Sequence, residues 1–96
     1  MRIQLVGGIT NVDNYVNLFD RAEAEAYQLD GVTEVVNPCN LPHNHDKTWE
    51  SYMIECLNSI DTVDAIFLLR GWQASDGARL EYKYATEHKK IIYFQT

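Results

Sequence analysis

Basic residues are scarce in this chain. Eight Lys and Arg stand against fourteen Asp and Glu, a formal charge of -6. A surface that grips a nucleic-acid polymer needs the opposite balance to displace counterions. Cysteine and proline each occur only twice. Two thiols, Cys39 and Cys56, cannot supply the disulfide framework of a small secreted domain. Apolar runs are short throughout, and none approaches the length of a membrane span. Met1-Arg2 leads straight into Ile3-Gln4-Leu5-Val6, too brief a stretch for the apolar core of a secretory signal. The expectation is a cytoplasmic, reducing setting with no membrane and no nucleic-acid polymer as partner. A small anionic ligand stays admissible, because backbone amides at a helix start bind phosphate whatever the net charge.

What is present is ordinary for a folded protein. With 46% apolar residues and no low-complexity tract, disorder is a poor reading. Ninety-six residues make one domain spanning residues 1–96, near the lower end of what buries its own core.

The pattern reads strand, helix, strand, helix, strand, helix, strand. Residues 3–6 form a first strand ending at Gly7-Gly8. A helix is expected from about Asp13 to Leu29, since Tyr15, Phe19, Ala22, Ala26 and Leu29 recur at steps of four and three. Gly31 stands where a left-handed cap belongs. Glu34-Val35-Val36-Asn37 reads as a second strand, stopped by Pro38, and the polar stretch from Pro38 to Lys47 as a loop. Thr48 is placed to cap the next helix, with Glu50 in its first turn. Trp49, Tyr52, Met53, Cys56, Leu57 and Ile60 mark that helix's apolar face. Ala65-Ile66-Phe67-Leu68-Leu69 is apolar on both faces, as a central strand covered by helices is. Arg70-Gly71-Trp72-Gln73 is its exit loop. Ser75 or Asp76 caps a third helix running to about His88, and Ile91-Ile92-Tyr93-Phe94 is a last strand.

Strands alternating with helices imply an α/β fold, a parallel sheet with helices on both faces. The expected strand order is 2-1-3-4, with the switch point between the first and third strands. Ligands in such sheets bind beyond the carboxyl ends of the strands near that point. Gly7-Gly8-Ile9-Thr10, Arg70-Gly71-Trp72 and the start of the third helix converge there.

Glu81 is the most informative residue. It follows Ala78 by three positions and precedes Ala85 by four, so it shares a stripe with two small residues. Such a stripe marks close helix–sheet contact and turns the carboxylate inward. A carboxylate withdrawn from water beside a pocket serves as nucleophile or general base. The alternative is a surface glutamate paired with Arg79 or Lys83. Gly7-Gly8 either brings backbone up to a phosphate or sugar or is a plain turn, and it lacks the spacing of a dinucleotide fingerprint. Ser75-Asp76-Gly77-Ala78 is either an anion cradle or an ordinary cap. Trp72 either stacks on a base or covers the core rim. Cys39, His43, His45 and Asp46 match no closed zinc pattern, so a solvated loop is expected and no metal. Asp61 and Asp64, before the third strand at the opposite end of the sheet, are expected to be structural.

The segments Leu5-Val6-Gly7-Gly8-Ile9-Thr10-Asn11, Val35-Val36-Asn37-Pro38, Thr48-Trp49-Glu50-Ser51-Tyr52-Met53 and the run from Asp64 to Tyr82 together resemble the nucleoside 2-deoxyribosyltransferase-like family. The chain is most similar to that family's small phage and prophage members, many known only as a domain of unknown function. The resemblance covers nearly the whole chain and is most specific from Asp64 to Glu81. It implies a flavodoxin-like (Rossmann-type) three-layer fold and cleavage of the N-glycosidic bond of 2′-deoxyribonucleosides or their monophosphates, with no cofactor. It implies that Glu81, in the S-x-G-x-x-x-E pattern starting at Ser75, is the nucleophile. It also implies that Gly7, Gly8 and the turn from Ser75 through Gly77 to Ala78 line the sugar or phosphate site, and that the protein is a dimer. Ile9, Thr10, Arg70, Gly71 and Trp72 belong to the same expected binding edge. Two positions depart from the pattern. Cys56 stands where active relatives carry a second acid, an aspartate, and Arg70 replaces the usual proline of L-L-P-G-W, where it is available to contact phosphate.

The chemistry suits a carboxylate: departure of a base leaves oxocarbenium character on the sugar, which a close anionic oxygen stabilises and captures. The competing readings are a non-catalytic nucleotide-binding or regulatory module with the same pocket and an interaction role for the apolar edge strand Ile91–Phe94. That edge leads to an expected homodimer.

Overall fold

The computed structural model describes residues 1–8, 14–40 and 48–96. They form β1 (Arg2–Val6), α1 (Tyr15–Tyr27), β2 (Glu34–Val36), α2 (Trp49–Ile60), β3 (Ala65–Leu68), α3 (Asp76–Glu87) and β4 (Ile91–Phe94), with short 3₁₀ turns at Pro38–Asn40 and Trp72–Ala74. The four strands make one parallel sheet in the order β2-β1-β3-β4. This is the parallel α/β arrangement that the alternating pattern implies, and the flavodoxin-like, three-layer fold that the family resemblance implies. Among the described residues no helix is long and apolar enough to cross a membrane.

Alternation along the strands divides the core into two layers. Ile3 and Leu5 of β1 and Ala65 and Phe67 of β3 meet Phe19, Ala22 and Ala26 of α1. Val6, Ile66 and Leu68 point the other way, toward Ile60 at the end of α2 and Ala78 and Ala85 of α3. Both faces of β1 and β3 are therefore covered, which is why these strands read as almost continuous apolar runs. Complete burial of side chains such as Phe19 and Ile66 stabilises the fold by about 1.5–3 kcal/mol each.

Local chemistry sets the element ends. Thr48 accepts a hydrogen bond from the Ser51 amide at 3.2 Å and caps α2. Ser75 accepts from the Ala78 amide at 3.1 Å and caps α3, so the cap is Ser75 and Asp76 is the first helical residue. The helix expected from about Asp13 to Leu29 is shorter at its described end, because the chain leaves α-geometry after Tyr27 and tightens through Leu29 N–H to Ala26 O. Asp13 lies outside the described residues. Gly31 is left-handed (φ 82°) but sits in the turn beyond, not at the helix cap. Asn37 follows β2 instead of extending it, and Leu69 follows β3. Two residues of the expected apolar stripes are exposed, Tyr15 and Trp49. Each is the first residue of its helix.

Asp61 and Asp64 have structural partners. Asp64 accepts from the Arg2 amide at 2.9 Å, and Asp61 accepts from the Tyr84 hydroxyl at 2.6 Å. Together they tie α3 and β1 to the turn before β3.

Candidate functional site

The helical stripe of α3 does turn Glu81 inward. Its buried residues are Ala78, Glu81 and Ala85, and Glu81 retains only 5% of its accessible surface. The small neighbours Ala78 and Ala85 let α3 approach the sheet closely. Among the described residues no side chain or backbone group makes a hydrogen bond or ion pair with this carboxyl. Burial alone therefore raises its pKa from the ordinary 4.5 to about 8, so Glu81 carries a proton at neutral pH. A buried acid with no partner costs stability, and such residues concentrate at functional sites.

Two side chains of α2 share this layer. Tyr52 and Cys56 lie one turn apart, and Glu81 bears electrostatically on both. Burial is the main cause that pushes the Cys56 thiol up to about 12 and raises the Tyr52 phenol as well. Neither gives up a proton near neutrality. Below them Gln4, wholly buried in the middle of β1, donates its amide to the Cys56 carbonyl at 3.4 Å. Its Oε1 is buried without a partner among the described residues. Cys39, whose thiol is raised by burial and by Asp20, also acts on Tyr52. The polar cluster is thus Glu81, Cys56, Tyr52 and Gln4, set between α2, α3 and the sheet.

The other expected site residues fall into three groups. Gly7 is explained by packing: a Cβ there would lie 3.1 Å from Leu69 Cβ and 3.3 Å from the Phe19 ring. Gly8, next along, is half-buried, while Ile9 and Thr10 lie outside the described residues. At the β3 exit Gly71 takes a left-handed conformation (φ 81°) that favours glycine. Arg70 is exposed, and its backbone amide donates to Gln95 Oε1 at 2.9 Å. Gln95 in turn donates to Glu25 at 2.6 Å, fastening this loop to α1. Trp72 covers the core rim, its ring 4.8 Å from Tyr82 and 6.4 Å from Phe94. At the start of α3, Ser75 is occupied as the cap, Gly77 leaves room for Met53 (3.0 Å from Sδ to a built Cβ), and Ala78 is core. His43, His45 and Asp46 lie outside the described residues, and among the described residues no cluster of His, Cys, Asp and Glu is arranged to hold a metal.

The apolar periodicity placed Tyr52 and Cys56 on one stripe, the family resemblance put Cys56 at the second-acid position, and Gln4 was passed over. The signal for Gln4 was an amide interrupting Ile3-Gln4-Leu5-Val6, a strand apolar on both faces. The signal for Tyr52 and Cys56 was their i, i+4 spacing on the helix that packs beside Glu81.

Over residues 1–94 the chain matches the family described as Domain of unknown function (DUF4406), and it belongs to that family. No curated protein and no solved structure matches it.

Proposed function

We propose that this DUF4406 protein acts on the N-glycosidic bond of nucleosides or nucleotides, as a 2-deoxyribosyltransferase or a deoxynucleoside monophosphate N-glycosidase, with Glu81 as the nucleophile. The observation that carries this reading is the buried Glu81 carboxyl with no partner among the described residues. A sugar that becomes cationic as its base departs is the partner such a group lacks. The ionised carboxylate stabilises the oxocarbenium and then bonds to the anomeric carbon, and water or a second base releases the sugar. The substrate approaches from the carboxyl edge of β1 and β3, over Gly7-Gly8, the Arg70–Trp72 loop and the Ser75 turn. No cofactor is required.

A second reading is favoured by one observation. Beside Glu81 stands Cys56, a thiol held protonated, where a second acid would assist departure of the base. In that reading the pocket binds a nucleotide without cleaving it.

The free thiols Cys39 and Cys56 fit a cytoplasmic setting. The open edge of β4, with Ile91 and Phe94 exposed, fits a homodimer.

The purified protein, incubated with a panel of deoxynucleosides and their monophosphates, separates the readings. Free base that appears with wild-type protein and vanishes in Glu81→Gln supports the enzyme. Thermal stabilisation by a nucleotide without release of base supports the binder. Neither response in any member of the panel defeats both.

A further inference from the structure

The exit loop of β3 is held by a side chain from the residue after β4. Gln95 Oε1 accepts a hydrogen bond from the Arg70 amide at 2.9 Å, and Gln95 Nε2 donates to Glu25 Oε2 at 2.6 Å across 70 positions of sequence. The Gln95 backbone amide donates to the Leu68 carbonyl at 2.8 Å and carries the β3–β4 ladder one rung further. One planar carboxamide thus joins α1, the end of β3 and the end of β4. The Arg70 amide requires an acceptor and the Glu25 carboxylate a donor, and a carboxamide offers both from a single plane. The bond to Glu25 is the stronger, because its acceptor carries charge.

This loop stands at the carboxyl end of β3, beside the switch point between β1 and β3. Gly71 turns it through a left-handed backbone, and the Trp72 ring closes it against Tyr82 and Phe94. Arg70 is exposed, and among the described residues its guanidinium has no hydrogen bond or ion pair. Arg2 and Arg79 are instead paired, with Glu34 and Asp76.

We infer that Gln95 is the positioning residue of this edge: its carboxamide fixes the Arg70 backbone and leaves the Arg70 side chain free for the ligand. Gln95 touches no reacting atom and acts only through the loop. The inference rests on the proposed function for the ligand that this edge meets, whereas the anchoring of the loop is tested without one.

Hydrogen exchange followed by NMR reads the Arg70 amide against the amides of Ala65–Leu68. Gln95→Met keeps the side-chain length and removes both hydrogen bonds. It is expected to speed exchange at Arg70 about fivefold or more, with the strand amides within about twofold of wild type. Gln95→Glu sets one carboxylate against another and is expected to act in the same direction. Adding Glu25→Gln to it restores the pair with the roles exchanged, and the Arg70 rate returns to within about twofold of wild type. An Arg70 rate unchanged in Gln95→Met, a swap that gives no rescue, or acceleration spread evenly over β3 overturns the inference.

The deoxynucleosides and monophosphates of the proposed function supply the second arm. Where base is released, Gln95→Met raises KM about fivefold or more with kcat within about twofold, since Glu81 is untouched, and the swap restores KM. Where a nucleotide only stabilises the protein, that stabilisation weakens in Gln95→Met and returns in the swap. A faster Arg70 amide with KM and stabilisation unaltered overturns the positioning role. No response of wild-type protein to any nucleotide defeats the proposed function, and the exchange rates then decide the clamp by themselves.

Discussion

Glu81 of α3 bears electrostatically on the Cys56 thiol of α2, and burial holds both in their proton-bearing forms. The carboxyl gives this pairing a measurable cost. In the unfolded chain it ionises near 4.5, whereas in the folded state it keeps its proton to about 8. The folded state thus binds the extra proton between those values. Its contribution to stability is complete below about pH 4.5 and is lost as pH rises toward 8.

Glu81→Gln carries a neutral isostere at every pH. Its stability relative to wild type is expected to rise steadily between pH 4.5 and 8, by up to about 5 kcal/mol in total. Urea denaturation at the two ends of that window measures it. Parallel stability curves for the two proteins would show that the carboxyl is not held neutral by the fold.

Gly7 and Gly71 are glycines for different reasons, and alanine distinguishes them. At Gly7 the added methyl meets Leu69 and Phe19 at 3.1–3.3 Å, so Gly7→Ala is expected to cost about 1–3 kcal/mol through overpacking. At Gly71 nothing lies within 4 Å, and the cost comes from the left-handed backbone alone, about 1–2 kcal/mol. Thermal denaturation gives both values. A Gly7→Ala variant as stable as wild type would mean that the turn accommodates a side chain.

Much of this fold was legible because its signals are periodic. Ala65 to Leu69 is apolar on both faces, and only a sheet covered on both sides uses such a strand. Ala78 and Ala85 flank Glu81 at helical spacing, and that stripe was enough to turn the acid inward. Periodicity gives the side of a helix but not how far the sheet extends beneath it, so Tyr15 and Trp49, at helix starts, are exposed where burial was expected. It also cannot pair polar atoms distant in sequence. Gln4 reaches the Cys56 carbonyl across 52 positions, and Glu81 bears on Tyr52 from another helix. Trp72 shows a further limit: loop aromatics suit base stacking and rim covering equally, and contact with Tyr82 and Phe94 resolves its packing role only in three dimensions.

The β4 edge carries Ile91 and Phe94 exposed, with no proline or charge among Ile91-Ile92-Tyr93-Phe94 to block pairing. Wild-type protein at micromolar concentration is expected to sediment as a dimer, and Phe94→Asp as a monomer with little loss of fold stability. A wild-type monomer under those conditions would remove β4 as a self-association edge.

The central claim is that Glu81 must lose its proton to act on a sugar, and the pH dependence of kcat/KM for base release reads that step in the free protein. The account predicts a rate that climbs with pH and levels off near 8, following the acid held there by burial. A rate that falls as pH rises through this range, or one unaltered in Glu81→Gln, would contradict it.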